Sequence, residues 1–249
     1  MSRPAPLGRA VIELTTMELR MAGRRAENVL VTIVVPAAVL VFFSAVNVAP
    51  QAERPLVVFL LPGTLALAIL ATSLVNLGIA TAYERSYGVL KRIGGAPVAR
   101  GAILAAKLAT VGIIELVQLA LLVAIATTLL GWRPDEPVVP WLVAAGLVLG
   151  TTAFAGLGLA LAGTLRAEAT LATANALFLV FLLLGGIVLP VDHLPGILAD
   201  IAALLPAGAL SAVMRAGLGA GGEAVGPLVV LGAWALAGGI AAVRLFRWE

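Results

Sequence analysis

Hydrophobic positions along this chain come in long runs, without the two-residue alternation of a half-buried strand or the narrow stripe of a soluble helix. Stretches with little or no charge cover residues 29–48, 56–82, 103–130, 138–165, 169–191 and 224–243. Crossing a hydrocarbon core as a helix takes about 20 residues, and each run is long enough. Barrel strands would be about ten residues long with polar alternation, and backbone groups in lipid must be paired within their own segment. The pattern predicts an all-α polytopic membrane protein with six transmembrane helices.

Three segments break the pattern. Over residues 7–27, Ala10, Leu14, Met17 and Met21 share one stripe, while Arg9, Glu13, Thr16, Arg20, Arg24 and Glu27 follow at helical spacing on another. That is the signature of an amphipathic helix lying in the membrane interface, although a charged leader that only orients the chain fits the same residues. Residues 83–97, within the run YERSYGVLKRIGGAPVARG, carry charges of both signs and end at Gly94, Gly95 and Pro97. They predict a short helix followed by a turn, serving either as a docking surface or as a plain solvated loop. Residues 192–222 are apolar but punctuated by prolines, and the stretch 197–205 is too short to span. This suits short re-entrant helices between spans five and six.

Composition sharpens the picture. Of 249 residues, 61% are hydrophobic and 12% charged, too few charges for the polar shell of a soluble domain. There is no cysteine and one histidine, His193. Thiol catalysis and the usual nitrogen and sulfur zinc sites therefore have no ligands, and no catalytic or metal-binding residue is assigned. The basic residues are not interleaved with aromatics on a soluble face, which argues against nucleic acid as a partner. With the N-terminus placed in the cytoplasm, twelve Lys and Arg fall on the inner side, against Arg54, Arg133 and Arg215 outside. The positive-inside rule then puts both termini in the cytoplasm. Lys107, near the inner end of span three, is expected to snorkel to that interface. An n-region with Glu13, Glu18 and Glu27 is too long and too acidic for a cleavable signal peptide.

Inside the bilayer the strongest signal is Glu115, with Gln118 one turn later. A carboxylate at the centre of a span is costly and must face protein or a wet cavity. It is either a polar point on a translocation surface, suited to a cationic amphiphile, or a hydrogen-bonded tie to a neighbouring helix. Asn76 and Asn175 are weaker candidates for the same pathway.

The ordered set of these features resembles a known family. The amphipathic leader, six spans, the loop of form Y-E-R-x-x-G-x-L-K-R followed by Pro97 and Lys107, and the outer stretch ending L-P-x-G-x-L-S-x-V-M-R are similar to the type-2 permease subunit of ATP-binding-cassette (ABC) exporters. The daunorubicin-resistance and related drug or lipid export permeases are the most similar in style. One departure is the stretch from Ile93 to Ala96, where that family more often has a leucine and polar residues. The resemblance implies that the leader is a connecting helix and that the loop is a coupling helix seated in a groove of an ATPase subunit. Tyr83, Glu84, Arg85, Gly88, Leu90, Lys91 and Arg92 would carry that contact, with Glu84 and Arg85 in charge pairs. It further implies an outer gate around Pro190, Pro195, Pro206 and Arg215. Two ABC ATPase subunits and a second permease copy or homologue are the implied partners, in a bacterial cell membrane. The chain has no G-x-x-x-x-G-K-S/T loop. ATP and magnesium would therefore belong to the partner ATPase, with no cofactor bound here and no enzyme activity in this chain. The competing reading is an ATP-independent secondary transporter or channel, for which internal repeats are expected. None is evident between residues 29–131 and 138–243.

Overall fold

The computed structural model describes residues 6–24, 26–46, 55–94, 100–187, 191 and 194–245, with the backbone alone for 26–31, 93–94 and 100. Every regular element among them is helical. The leader forms α1 (Leu7–Arg24), followed by α2 (Ala26–Val46). Span two is α3 (Leu56–Leu70), a π-helical segment (Ala71–Asn76) and α4 (Leu77–Ser86), which run on as one helix of 31 residues. After the short α5 (Val89–Gly94) come α6 (Arg100–Thr128), α7 (Pro140–Thr164) and α8 (Ala167–Leu184), then α9 (Gly196–Leu204), α10 (Pro206–Gly217) and α11 (Val225–Leu245).

Five of these, span two with α6, α7, α8 and α11, are long and apolar enough to cross a bilayer. α2, at 21 residues, reaches about 31 Å by the helical rise of 1.5 Å per residue. The expected span over 169–191 stops short: α8 ends at Leu184, and Gly186 at φ 61 turns the chain away. Span two is the interior helix, with 83% of its most apolar window buried, and the other spans are arranged around it.

α9 and α10 meet at 79° at Leu205. Their lengths of 9 and 12 residues give about 14 and 18 Å, too short for either to cross alone. α10 runs back along α7: Leu210 lies against Gly150, Val213 and Met214 against Gly146, and Gly217 against Val143. Its end joins the α6–α7 connection, where the backbone N–H groups of Asp135 and Glu136 donate to Gly219 O at 3.1 and 3.0 Å. The bend at Leu205 therefore lies alongside the middle of α11, in a bent pair of the shape expected for re-entrant helices. Trp234 Nε1 donates to Leu204 O (2.9 Å) at this break, supplying a partner where the helix has none.

Close backbone approach holds the bundle where side chains are smallest. A Cβ on Gly156 would collide with the Gly238 carbonyl carbon, and one on Gly158 would lie 2.8 Å from Leu74 O. α7 thus touches α11 and span two through bare backbone. Gly239, next along α11, has open space around its Cβ position. Gly156→Ala should therefore lower the thermal unfolding midpoint of the purified protein, at a cost of about 1–3 kcal/mol for forced overpacking. Gly239→Ala should leave it unchanged or raise it slightly, since alanine favours a helix by about 1 kcal/mol over glycine.

Candidate functional site

At the leader end of the bundle, span two stops in a tight elbow. Tyr87 N donates to Tyr83 O (2.9 Å) and Gly88 N to Arg85 O (3.0 Å), with Gly88 at φ 69. A residue with a Cβ in this left-handed region costs about 1–2 kcal/mol, so glycine is the fitting choice. α5 leaves the elbow with Leu90 fully buried against Leu77, Val111 and Leu159. Tyr87 is 72% exposed and its ring stacks on Tyr83 at 6.0 Å between centroids. Lys91 and Arg92 also face outward.

The two charges expected to meet an ATPase turn inward. Arg85 Nη1 donates to Gly163 O (2.6 Å) and Nη2 to Leu165 O, capping the end of α7, where the helix dipole favours a cation. Glu84 pairs with Lys107 at 2.7 Å. Within this chain, then, Glu84 and Arg85 both find partners in the bundle from the last turn of span two. Tyr87, Lys91 and Arg92 form the exposed tip instead. Lys107 does not snorkel either. It is 4% exposed and also pairs with Glu18 of α1 at 3.1 Å, so one ammonium joins the leader, span two and α6.

Deeper in the bundle, the π-helical turn presents Thr72 and Ser73 to α6. Ser73 Oγ donates to Glu115 Oε1 (2.5 Å), and Thr151 Oγ1 of α7 bonds Oε2 of the same carboxyl group. Thr72 Oγ1 donates to Gln118 Oε1 (3.1 Å), while Gln118 Nε2 donates to Thr32 O of α2 (3.0 Å). Glu115 and Gln118 are each 1% exposed. π turns widen a helix by one residue and are frequent at functional positions. Here the turn brings one hydroxyl to the Glu115 carboxyl group and another to Gln118.

The four expected pathway residues therefore separate. Glu115 and Gln118 are enclosed and tie α2, span two, α6 and α7 together. Asn76 and Asn175 line a groove of about 370 Å³ between α2, span two and α8, with Thr32, Val75 and Phe178 among its walls. At the opposite end of the bundle, Pro195 precedes α9 and Pro206 begins α10. Arg215 Nη2 donates to Gly186 O, and its guanidinium stands 4.6 Å from the centroid of the Phe59 ring. Pro190, like Pro97 and His193, lies outside the described residues. Among the described residues no group of three or more His, Asp or Glu could hold a metal ion.

Nothing in the amino-acid pattern signals the π turn, because Ala71–Asn76 reads as one more apolar stretch of span two. Glu18 is visible as a leader charge, but its bond to Lys107 joins positions far apart in the chain.

Replacing Glu115 separates the tie from a substrate contact. Glu115→Gln keeps the shape and one acceptor oxygen, and its amide N–H can donate to the second hydroxyl in place of the bond it accepted, so its unfolding midpoint should stay close to that of the wild type. Glu115→Ala strands the Ser73 hydroxyl, leaves Thr151 with only its own helix carbonyl at Leu147, and opens a void, and should destabilise by about 2–4 kcal/mol. A Gln variant that unfolds like wild type yet no longer transports would assign the carboxyl group to substrate instead.

The family model of the ABC-2 type transporter matches residues 9–218, from the leader through the re-entrant pair. No curated protein matches the chain. With most of its length covered by that model, and with several helices able to cross a bilayer, the chain is a multi-pass membrane protein of the ABC-2 type transporter family.

Proposed function

We propose that the chain is the permease subunit of an ATP-driven exporter that moves a hydrophobic or amphipathic substrate, drug-like or lipid-like, out of a bacterial cell. ATP and magnesium are held by two separate ATPase subunits, and two permeases pair in the membrane with their termini in the cytoplasm. The observation that carries this reading is the elbow at Gly88. It offers a partner an exposed tip of Tyr87, Lys91 and Arg92 on a helix whose Leu90 is locked into the bundle.

A transporter needs its energy source to favour one conformation over another through differential contacts. A push on the tip passes along two stiff routes. Arg85 carries it to the end of α7, and Lys107 carries it to α6 and the leader. α2, span two and α8 border the groove of Asn76 and Asn175, which we assign as the transport path. Its walls are mainly apolar with the amides of Asn76 and Asn175 and the hydroxyl of Thr32, which suits an amphipathic cargo. The re-entrant pair and Arg215 close the path at its outer end.

Co-expression with an ATPase subunit encoded beside this chain tests the reading. The two should copurify, and vesicles containing both should take up a substrate only with ATP. Exposed ion pairs are worth about 0.2–1 kcal/mol each, so a single charge at the tip matters little. Tyr87→Ala combined with Lys91→Glu and Arg92→Glu should cut permease-stimulated ATP hydrolysis severalfold without changing the unfolding midpoint. Transport that persists in the absence of any ATPase would favour a secondary transporter.

A further inference from the structure

Beneath the leader lies a second cavity, of about 270 Å³, open on one side and bordered by α1, the inner half of span two, α5 and α6. Its walls are largely apolar and include Leu77, Val111 and Ile114. The charged groups among the described residues lining it are Glu18, Glu84 and Lys107. One ammonium, 4% exposed, stands between two carboxylates at 3.1 and 2.7 Å, so the set carries one excess negative charge. A charge left over at the edge of a low-dielectric pocket attracts a counter-charge more strongly than it would in open water. The apolar walls ask that the counter-charge arrive on an apolar body.

The cavity also has an inner connection. Asn76, the last residue of the π turn, lines both this cavity and the groove between α2, span two and α8. No hydrogen bond engages its side chain among the described residues. A ligand beneath the leader would thus be one side chain away from the groove.

We propose that this cavity binds the headgroup of a cationic amphiphile taken from the inner leaflet, with the carboxylates of Glu18 and Glu84 facing the cation and Asn76 marking the way onward. The proposal deepens the export reading by naming the charge class of the cargo, and it rests on that reading only for the transport step after binding. Glu115, enclosed by Ser73 and Thr151, does not take this role.

The chain has no cysteine, so one introduced thiol reports on one place. Ala80→Cys sets the thiol in the cavity wall, and Ile197→Cys on α9, at a position 75% exposed, serves as the reference. Full-length permease in lipid nanodiscs is treated with a trimethylammonium-bearing or a sulfonate-bearing ethyl methanethiosulfonate. Relative to the reference thiol, the cationic reagent should modify the cavity thiol about tenfold faster than the anionic one. Dodecyltrimethylammonium should slow that modification, whereas dodecyldimethylamine N-oxide, similar in shape but without net charge, should not. Glu18→Gln leaves Lys107 paired with Glu84, removes the excess charge, and should abolish both effects. Ile114→Cys repeats the measurement from another wall if Ala80→Cys reduces the folded yield. Equal rates for the two reagents, equal protection by the two amphiphiles, or indifference to Glu18→Gln would overturn the proposal. No ATPase is present in this assay. Binding without ATP-dependent transport would therefore contradict only the export reading, and transport without cation-selective protection only the cation site.

Discussion

Lipid offers a polar side chain nothing to bond, and α6 carries three long polar side chains into the bundle. Lys107, Glu115 and Gln118 lie on its protein-facing side, together with Ala106, Val111 and Leu122, while Ile113, Leu116, Val117 and Leu121 face outward. Each polar group must find its partner on another helix, since an unmet buried donor or acceptor costs about 1–3 kcal/mol. Those partners are Glu18 on α1, Thr32 on α2, Thr72, Ser73 and Glu84 on span two, and Thr151 on α7. Arrangement of the helices around α6 follows from satisfying this one face.

Irregular backbone occurs where such a demand exists. The π turn at Ala71–Asn76 brings two hydroxyls to Glu115 and Gln118. Gly88 turns span two into the elbow, and the break at Leu205 is met by Trp234. Elsewhere the helices are held by apolar packing and by glycine contacts such as Gly156 with Gly238, which give tight packing without direction. The polar ties therefore mark where the bundle is specified, and the one nearest the elbow joins the leader to the place where a partner would push.

Much of this was legible in the sequence. Long apolar runs pointed to an all-α polytopic membrane protein, because a helix in lipid must be long and apolar whatever its neighbours. Pro195 and Pro206 marked where the two short helices α9 and α10 begin, since proline cannot continue a helix but can begin one. The residues placed the turn of the charged loop at Gly94, Gly95 and Pro97, whereas the chain already turns at Gly88. Partnerships were not legible. Glu84 and Arg85 looked like surface charges, and only the fold shows that Gly163 and Lys107 lie within their reach. The leader is similar: its apolar stripe was read as that of a helix in the membrane interface, and only the fold shows that α1 turns Ala10 and Thr15 toward α6 and leaves Met17 and Met21 41% exposed. Periodicity finds an apolar face but does not say which edge of it a neighbouring helix covers.

Entry of force from an ATPase at the elbow is tested most directly by cross-linking the assembled complex. Because the chain lacks cysteine, Tyr87→Cys gives a single thiol at the exposed tip and Ile197→Cys a single thiol at the re-entrant pair. A short thiol-reactive cross-linker should join the Tyr87→Cys permease to its ATPase subunit, with a yield that changes between nucleotide-free and ATP-bound states. Ile197→Cys should give no such product. Cross-linking of the ATPase at position 197, or none at position 87 in a complex that copurifies, would contradict the elbow as the point of entry.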